Sequence, residues 1–193
     1  LPKRNRGDQV TLALQLHFGA LDSLAGRSLA GEAAARLLQR GSKTRDRRQL
    51  ALALDQLRAN LAIQGDAQGL SLVLQVRREN LNAALDLIAE MLRQPAFSPS
   101  EFEQLQQEWM TQIAEARNDP VALGHNVLAQ HMDAYPVDDV RHVFSFEEQL
   151  QQVKQLKLAQ VTQFHVDFYG ASAAQLALVG QVDPVEIKAR LQS

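Results

Sequence analysis

The chain has 193 residues, of which 46% are hydrophobic and 22% are charged. A chain of this length can bury a full core, so neither a disulfide nor a structural metal is needed to hold it together. The sequence contains no Cys, which excludes a disulfide framework, thiolate zinc ligands and a Cys nucleophile. A formal net charge of −2 does not favour nucleic acid or an anionic membrane as a partner, and no apolar run is long enough to span a bilayer.

The basic first residues, Leu1–Asp8, are neither a signal peptide nor a transit peptide, because no apolar segment follows them. They resemble the end of a strand followed by a turn. We therefore expect the chain to be an excised or processed piece of a longer protein.

Hydrophobic periodicity and turn residues predict the elements of the first half of the chain. In chain order these are a strand over Val10–Phe18, a loop over Gly19–Gly26, a helix over Ser28–Arg40, a helix over Arg45–Arg58 with Thr44 as its candidate cap, and a hairpin of Asn60–Gln64 and Leu70–Val76.

Helices dominate the second half, and two of them begin with a Ser-x-x-Glu capping box. The predicted helices cover Glu79–Arg93, Ser98–Arg117 and Asp119–Met132, and after a loop over Asp133–Phe144 a short helix begins at Ser145. A helix over Leu158–Tyr169, a strand over Ala174–Val179 and a last helix from Asp183 follow. Strands and helices do not alternate strictly. The order therefore predicts an α+β fold, with a mixed, mostly antiparallel sheet covered on one face by helices.

No familiar catalytic constellation emerges from the residues alone. No two of the five His residues are spaced at i, i+4, and neither a Gly-x-Ser-x-Gly motif nor a phosphate-binding loop occurs. A basic cluster over residues 40–48 is read either as an anion site or as a solvated helix face. Trp109 is read as a packing residue. Glu32 and Arg36 lie at i, i+4 with the acid first, the favourable order for an ion pair on a helix.

Several stretches, in order and over nearly the whole chain, resemble the insulinase/pitrilysin family of zinc metallopeptidases. They are Phe18–Ser23 with the helix Ser28–Gly41, Asn60–Val76 with Glu79–Leu81, Pro95–Phe97 with Glu101–Glu103, Glu115–Pro120, the loop Tyr135–Phe144, Phe164–Tyr169, and Leu178–Gly180. The resemblance implies that residues 1–193 form a single α+β domain, truncated at both ends, which is one homologous half of a larger protein. Such α+β halves close around a peptide-holding chamber. The resemblance also implies that an edge strand of this half, including Val10–Phe18, helps to line that chamber.

An active half of that family carries His-x-x-Glu-His on its first helix, with a further Glu as a distal zinc ligand. Aligning the Gly41-Ser42 pair that follows the motif places Glu32 at the first His, Ala35 at the general base and Arg36 at the second His. Glu115 falls near the distal ligand position. Arg has no lone pair to give a metal, and Ala cannot accept a proton. We therefore expect no catalytic residue and no metal here, with Arg36 replacing the cation's charge beside Glu32, and Glu115 as a second candidate partner.

These expectations describe the non-catalytic half of a zinc-dependent metalloendopeptidase. Zinc and catalysis would belong to a catalytic half in the same chain or in a partner subunit, and the substrate would be a peptide. A structural core subunit of the same fold without proteolysis is the alternative. A stand-alone enzyme using His125 and Glu115 is a third interpretation. A bacterial periplasm and a cytoplasm fit the sequence equally.

Overall fold

The computed structural model describes residues 8–66, 68–170, 172, 174–183, 185 and 187–188. The strands are β1 (Gln9–His17), β2 (Asn60–Gly65), β3 (Gly69–Arg77) and β4 (Ala174–Val179). The α-helices are α1 (Leu21–Leu24), α2 (Ser28–Leu37), α3 (Arg47–Gln56), α4 (Leu81–Arg93), α5 (Pro99–Asn118), α6 (Pro120–Met132), α7 (Phe146–Gln155) and α8 (Leu158–Phe168). Single 3-10 turns extend α2 over Leu38–Arg40 and precede α4 over Arg78–Asn80.

The four strands form one sheet in the order β2-β3-β1-β4, and each of these pairings is antiparallel. Leu12 of β1 lies opposite Leu74 of β3 on one side and Leu178 of β4 on the other. The α+β class with helices on one face is therefore confirmed. The prediction that β1 is an edge strand is wrong, because β4, from far along the chain, pairs with the side of β1 that β3 leaves open. The edges of the described sheet are β2 and β4.

The core lies between this sheet and the helices. Alternate residues of β1 and β3, such as Leu12 and Leu74, are buried beneath the apolar face of α4. A second cluster joins the alanine-rich face of α2 to Phe164 of α8 and Trp109 of α5. Each fully buried Leu or Phe contributes roughly 1.5–3 kcal/mol, so the first cluster holds α4 and the second holds α2 against the sheet.

Two of the predicted helix starts differ from the structure. The N-cap of α3 is Asp46 and not Thr44, because the Asp46 carboxylate accepts the backbone N–H of Gln49 at 2.7 Å while the Thr44 hydroxyl donates to Glu90. The Ser98 side chain does not cap α5. Its hydroxyl lies 2.8 Å from that of Ser100 instead.

Other boundaries are close to the predicted ones. The capping box at Ser145 is confirmed, since its hydroxyl accepts the N–H of Glu148 at 3.2 Å. The segment predicted as a loop over Gly19–Gly26 contains the short helix α1. The helix predicted from Asp183 lies largely outside the described residues. No helix of the described segments is both long enough and apolar enough to cross a membrane.

Candidate functional site

An open groove of about 460 Å³ lies beside the exposed face of α2. Its walls come from α2, the turn between β2 and β3, helices α5 and α7, and the loop that follows α6. Apolar side chains such as Trp109 and Phe144 form part of the lining, with Glu32, Arg36 and Asp66 among the charged groups. Two of the three motif positions on α2, Glu32 and Arg36, therefore open onto one surface.

Glu32 and Arg36 form an ion pair on this surface. The guanidinium Nη2 of Arg36 donates to Oε1 of Glu32 at 2.9 Å, and both side chains are roughly 40% exposed. The guanidinium also lies over the ring of Trp109, 5.4 Å from its centroid. Because Trp109 is itself buried, the guanidinium of Arg36 lies against a fixed aromatic ring and is also hydrogen-bonded to Glu32. The cation is thus fixed by two contacts.

Ala35 occupies the opposite situation, buried between α2 and the sheet. It is 2% exposed, and a Cβ built on Gly65 of β2 would lie 2.7 Å from the Ala35 Cβ. The backbone of β2 therefore approaches α2 closely at this point. A methyl group fits the space, and a longer side chain here would have to displace the strand.

Glu115 is not brought to the pair. It is exposed on α5 and does not line the groove, and no ion pair or hydrogen bond joins it to Arg36 within the described chain. His125 is likewise exposed, on α6. Across the described residues, no three His, Asp or Glu side chains converge on a point where a metal ion could sit.

The donor set at the motif positions does not fit a zinc ion. A tetrahedral site needs imidazole, carboxylate or thiolate donors, and only Glu32 of the three aligned residues supplies one. Arg36 is permanently protonated and places a positive charge where the ion would be. At the aligned positions the groove therefore presents an ion pair without net charge, with the guanidinium of Arg36 against the Trp109 ring.

A second polar centre in the groove wall was not predicted from the sequence. Oδ2 of Asp133, just after α6, accepts hydrogen bonds from Nδ1 of His142 at 2.7 Å and from the backbone N–H of Val143 at 2.9 Å. Its Oδ1 accepts the N–H of Tyr135. The bonds from Val143 and then Tyr135 lower the pKa of Asp133. This carboxylate therefore ties the two ends of the loop together.

His142 packs its ring edge-on against Phe144, with 4.6 Å between the centroids. Its Nδ1 also lies 3.0 Å from the carbonyl oxygen of Tyr135, which is an acceptor, so Nδ1 carries the proton. The only sequence signal for this centre is an Asp at the C-terminal end of a helix. The bond between His142 and Asp133 joins residues nine positions apart in irregular backbone, where hydrophobic periodicity predicts no contact.

Three basic residues of the cluster over residues 40–48, Arg40, Arg45 and Arg47, form ion pairs within the fold. Arg40 is nearly buried and donates to both carboxylate oxygens of Glu108, and this hydrogen bond lowers the pKa of Glu108. Arg45 is paired with Glu90. The carboxylate of Glu101, which the capping box would have directed to Ser98, lies 3.6 Å from both Arg40 and Arg47. These charges hold α5 and α4 to the segment after α2.

Residues 1–140 match the family model described as insulinase (peptidase family M16). No curated protein matches the chain in sequence. Among solved structures, the chain is similar to the peptidase M16 inactive domain from Pseudomonas fluorescens, with a TM-score of 0.82 and 18% identity over 96% of this chain and 44% of that one.

Two further structures share the fold. A protease from Helicobacter pylori has a TM-score of 0.79 at 15% identity, over 97% of this chain and 45% of that one. The periplasmic protease PqqL from Escherichia coli has a TM-score of 0.73 at 17% identity, over 96% of this chain and 21% of that one. The chain thus spans less than half the length of each of these structures.

Proposed function

Because the chain belongs to the insulinase family of peptidases, family M16, we propose that it is a non-catalytic domain of a zinc-dependent metalloendopeptidase. The observation that carries this proposal is the Glu32–Arg36 ion pair, with buried Ala35 beside it, at the positions of the zinc motif. In this family the motif supplies both the ligands of the metal and the base that activates water.

The physical argument rests on charge and donors. A peptide bond is attacked by a water molecule whose pKa a metal has lowered, with a carboxylate to take the proton. Here the guanidinium of Arg36 supplies a positive charge without a lone pair, and the methyl group of Ala35 cannot take a proton. Catalysis therefore belongs to a catalytic half, in the same polypeptide or in a partner subunit.

The groove suits a supporting role in holding a peptide. Its apolar lining, with Trp109 and Phe144, can bury an apolar side chain, and its rim offers hydrogen-bonding groups such as Gln68 and the ion pair. We propose that this surface faces the peptide-holding chamber and contacts the substrate without cleaving it. Zinc in the whole protein would then be held outside residues 1–193.

Metal analysis of the purified chain tests the proposal. After equilibration with zinc and removal of free ion, elemental analysis is expected to find no stoichiometric zinc, and Glu32→Gln is expected to change nothing. One zinc per chain that Glu32→Gln abolishes would refute the proposal, because it would show that the α2 turn holds a metal after all.

The sequence and the activity of the full-length protein distinguish this proposal from the alternative, a structural subunit without proteolysis. An intact His-x-x-Glu-His in the remaining reading frame, together with peptide hydrolysis by the assembly, supports a non-catalytic domain of an active peptidase. If the motif and the hydrolysis are both lacking, the chain is instead a structural subunit that kept the fold and lost proteolysis.

A further inference from the structure

Helix α6 has its apolar side outside and its polar side inside. Five of its large apolar residues are between 45% and 75% exposed, and none of its residues is buried. We call them the α6 surface: Val121, Leu123, Val127, Leu128 and Met132. Residues spaced four apart on the inner side, Ala122, Asn126 and Gln130, are half-buried. This is the reverse of what a helix at the surface of a complete protein shows.

Polar contacts fix this orientation. In the middle of the inner side, the Asn126 amide donates to the carbonyl oxygen of Phe144 at 3.0 Å. Asp133, directly after the helix, is held by His142 and Val143. The helix cannot turn its apolar side inward without breaking these bonds, so the exposure belongs to the fold.

The composition of α6 narrows the kind of partner. The thirteen residues of Pro120–Met132 contain no Asp, Glu, Lys or Arg, in a chain that is 22% charged. Single exposed apolar residues are ordinary, but a contiguous uncharged patch marks an interface. At Gly124, a Cβ would meet nothing within 4 Å, so another backbone can approach closely there. The helix therefore offers nucleic acid no Lys or Arg, and a charged peptide no ionised partner of these four types.

The size of the related structures points to the occupant. The chain covers 44% and 45% of two of them, which leaves in each a remainder slightly larger than this domain. It covers 21% of a third. Each related structure therefore has room for at least one further domain of this size in the same polypeptide, and an exposed apolar patch such as the α6 surface marks a protein–protein contact.

We infer that the α6 surface is the docking site for a second α+β domain of the same fold in the full-length polypeptide. The inference rests on the proposed function for the existence of that domain and adds the surface on which it docks. Packing there would bury the five apolar side chains against an apolar face of the second domain.

Photo-crosslinking in the full-length protein tests this inference. Leu128, which is 57% exposed, is replaced by the photoreactive residue p-benzoylphenylalanine, and Val166 on α8, which is 71% exposed, is replaced in a matched control. After irradiation, mass spectrometry of the digest is expected to join position 128 to a peptide outside residues 1–193 of the same polypeptide. Position 166 is expected to give no such product.

Three results would overturn the inference. They are a probe at 128 that reacts only with solvent, a product that joins it to residues 1–193 of a second copy, and a product with an unrelated protein. As a second measurement, Leu128→Lys is expected to lower the Tm of the full-length protein, whereas Val166→Lys is not. The zinc assay reports on the proposed function separately, because metal content at α2 does not depend on what covers α6.

Discussion

Arg36 makes two contacts where Glu32 makes one, so the two residues are expected to differ in their effect on stability. Glu32→Ala removes only the ion pair, which at roughly 40% exposure is worth about 0.3–0.5 kcal/mol. Arg36→Ala removes the same pair and also the contact with the Trp109 ring at 5.4 Å, worth about 0.5–1 kcal/mol more. We therefore expect Arg36→Ala to lower the free energy of unfolding by about 0.8–1.5 kcal/mol.

The double variant separates the two contributions. If the ion pair is the only link between the residues, the coupling energy from the cycle is about 0.3–0.5 kcal/mol and the remainder of the Arg36→Ala effect persists without Glu32. Arg36→Lys serves as a control, because it keeps the charge and loses the flat guanidinium that stacks on the ring. Its loss of stability should lie between those of the two Ala variants.

Urea unfolding at equilibrium measures these differences. Trp109 is the single Trp of the chain, so its fluorescence reports the transition directly, and circular dichroism serves as a second probe because Arg36 touches the indole. The reasoning is refuted if Arg36→Ala costs no more than Glu32→Ala. A coupling energy several times larger than expected would refute it as well, since the pair would then be far stronger than its exposure allows.

Three further outcomes follow from the geometry. Gly65→Ala should destabilise the chain by about 1–3 kcal/mol in urea unfolding, because its new Cβ would lie 2.7 Å from that of Ala35. Gly124→Ala, in open space on α6, should instead stabilise it by about 0.5–1 kcal/mol, and a loss would contradict the assigned exposure. Hydrogen bonds from Arg141 lower the pKa of Asp139 from 3.8 to about 2. The Asp139 contribution to stability is therefore complete above about pH 4 and lost as pH falls towards 2, so the advantage of wild type over Asp139→Asn in unfolding midpoint should disappear across that window.

Elements with a clear period could be predicted closely from the sequence. The β4 strand was predicted with the bounds that the structure has, and the α6 helix to within one residue. The position of β1 in the sheet could not be predicted, because its second neighbour, β4, lies near the other end of the chain. The N-cap of α3 could not be predicted, because Thr44 and Asp46 are both suitable capping residues. The choice between them depends on Glu90 of a distant helix, which accepts the Thr44 hydroxyl.

The candidate site could be predicted in part. The Glu32–Arg36 bond follows from helical spacing alone, and the structure shows it at 2.9 Å. The stacking of Arg36 on Trp109 could not be foreseen, because it joins two helices whose packing no local pattern encodes. Glu115 was placed by alignment only, and the structure leaves it exposed on α5. The Asp133 centre depends on a loop with no period at all.

The central position of β1 has a consequence for how the polypeptide acquires its structure during synthesis. On one side β1 pairs with β3, which follows it closely in the chain, but its other side pairs with β4, which is synthesised only after residues 78–173. Until then the nascent chain carries an open ladder of amides and carbonyls, an aggregation hazard that grows with waiting time. Such high contact order slows closure, so β4 is expected to dock late, and chaperones would act in that interval.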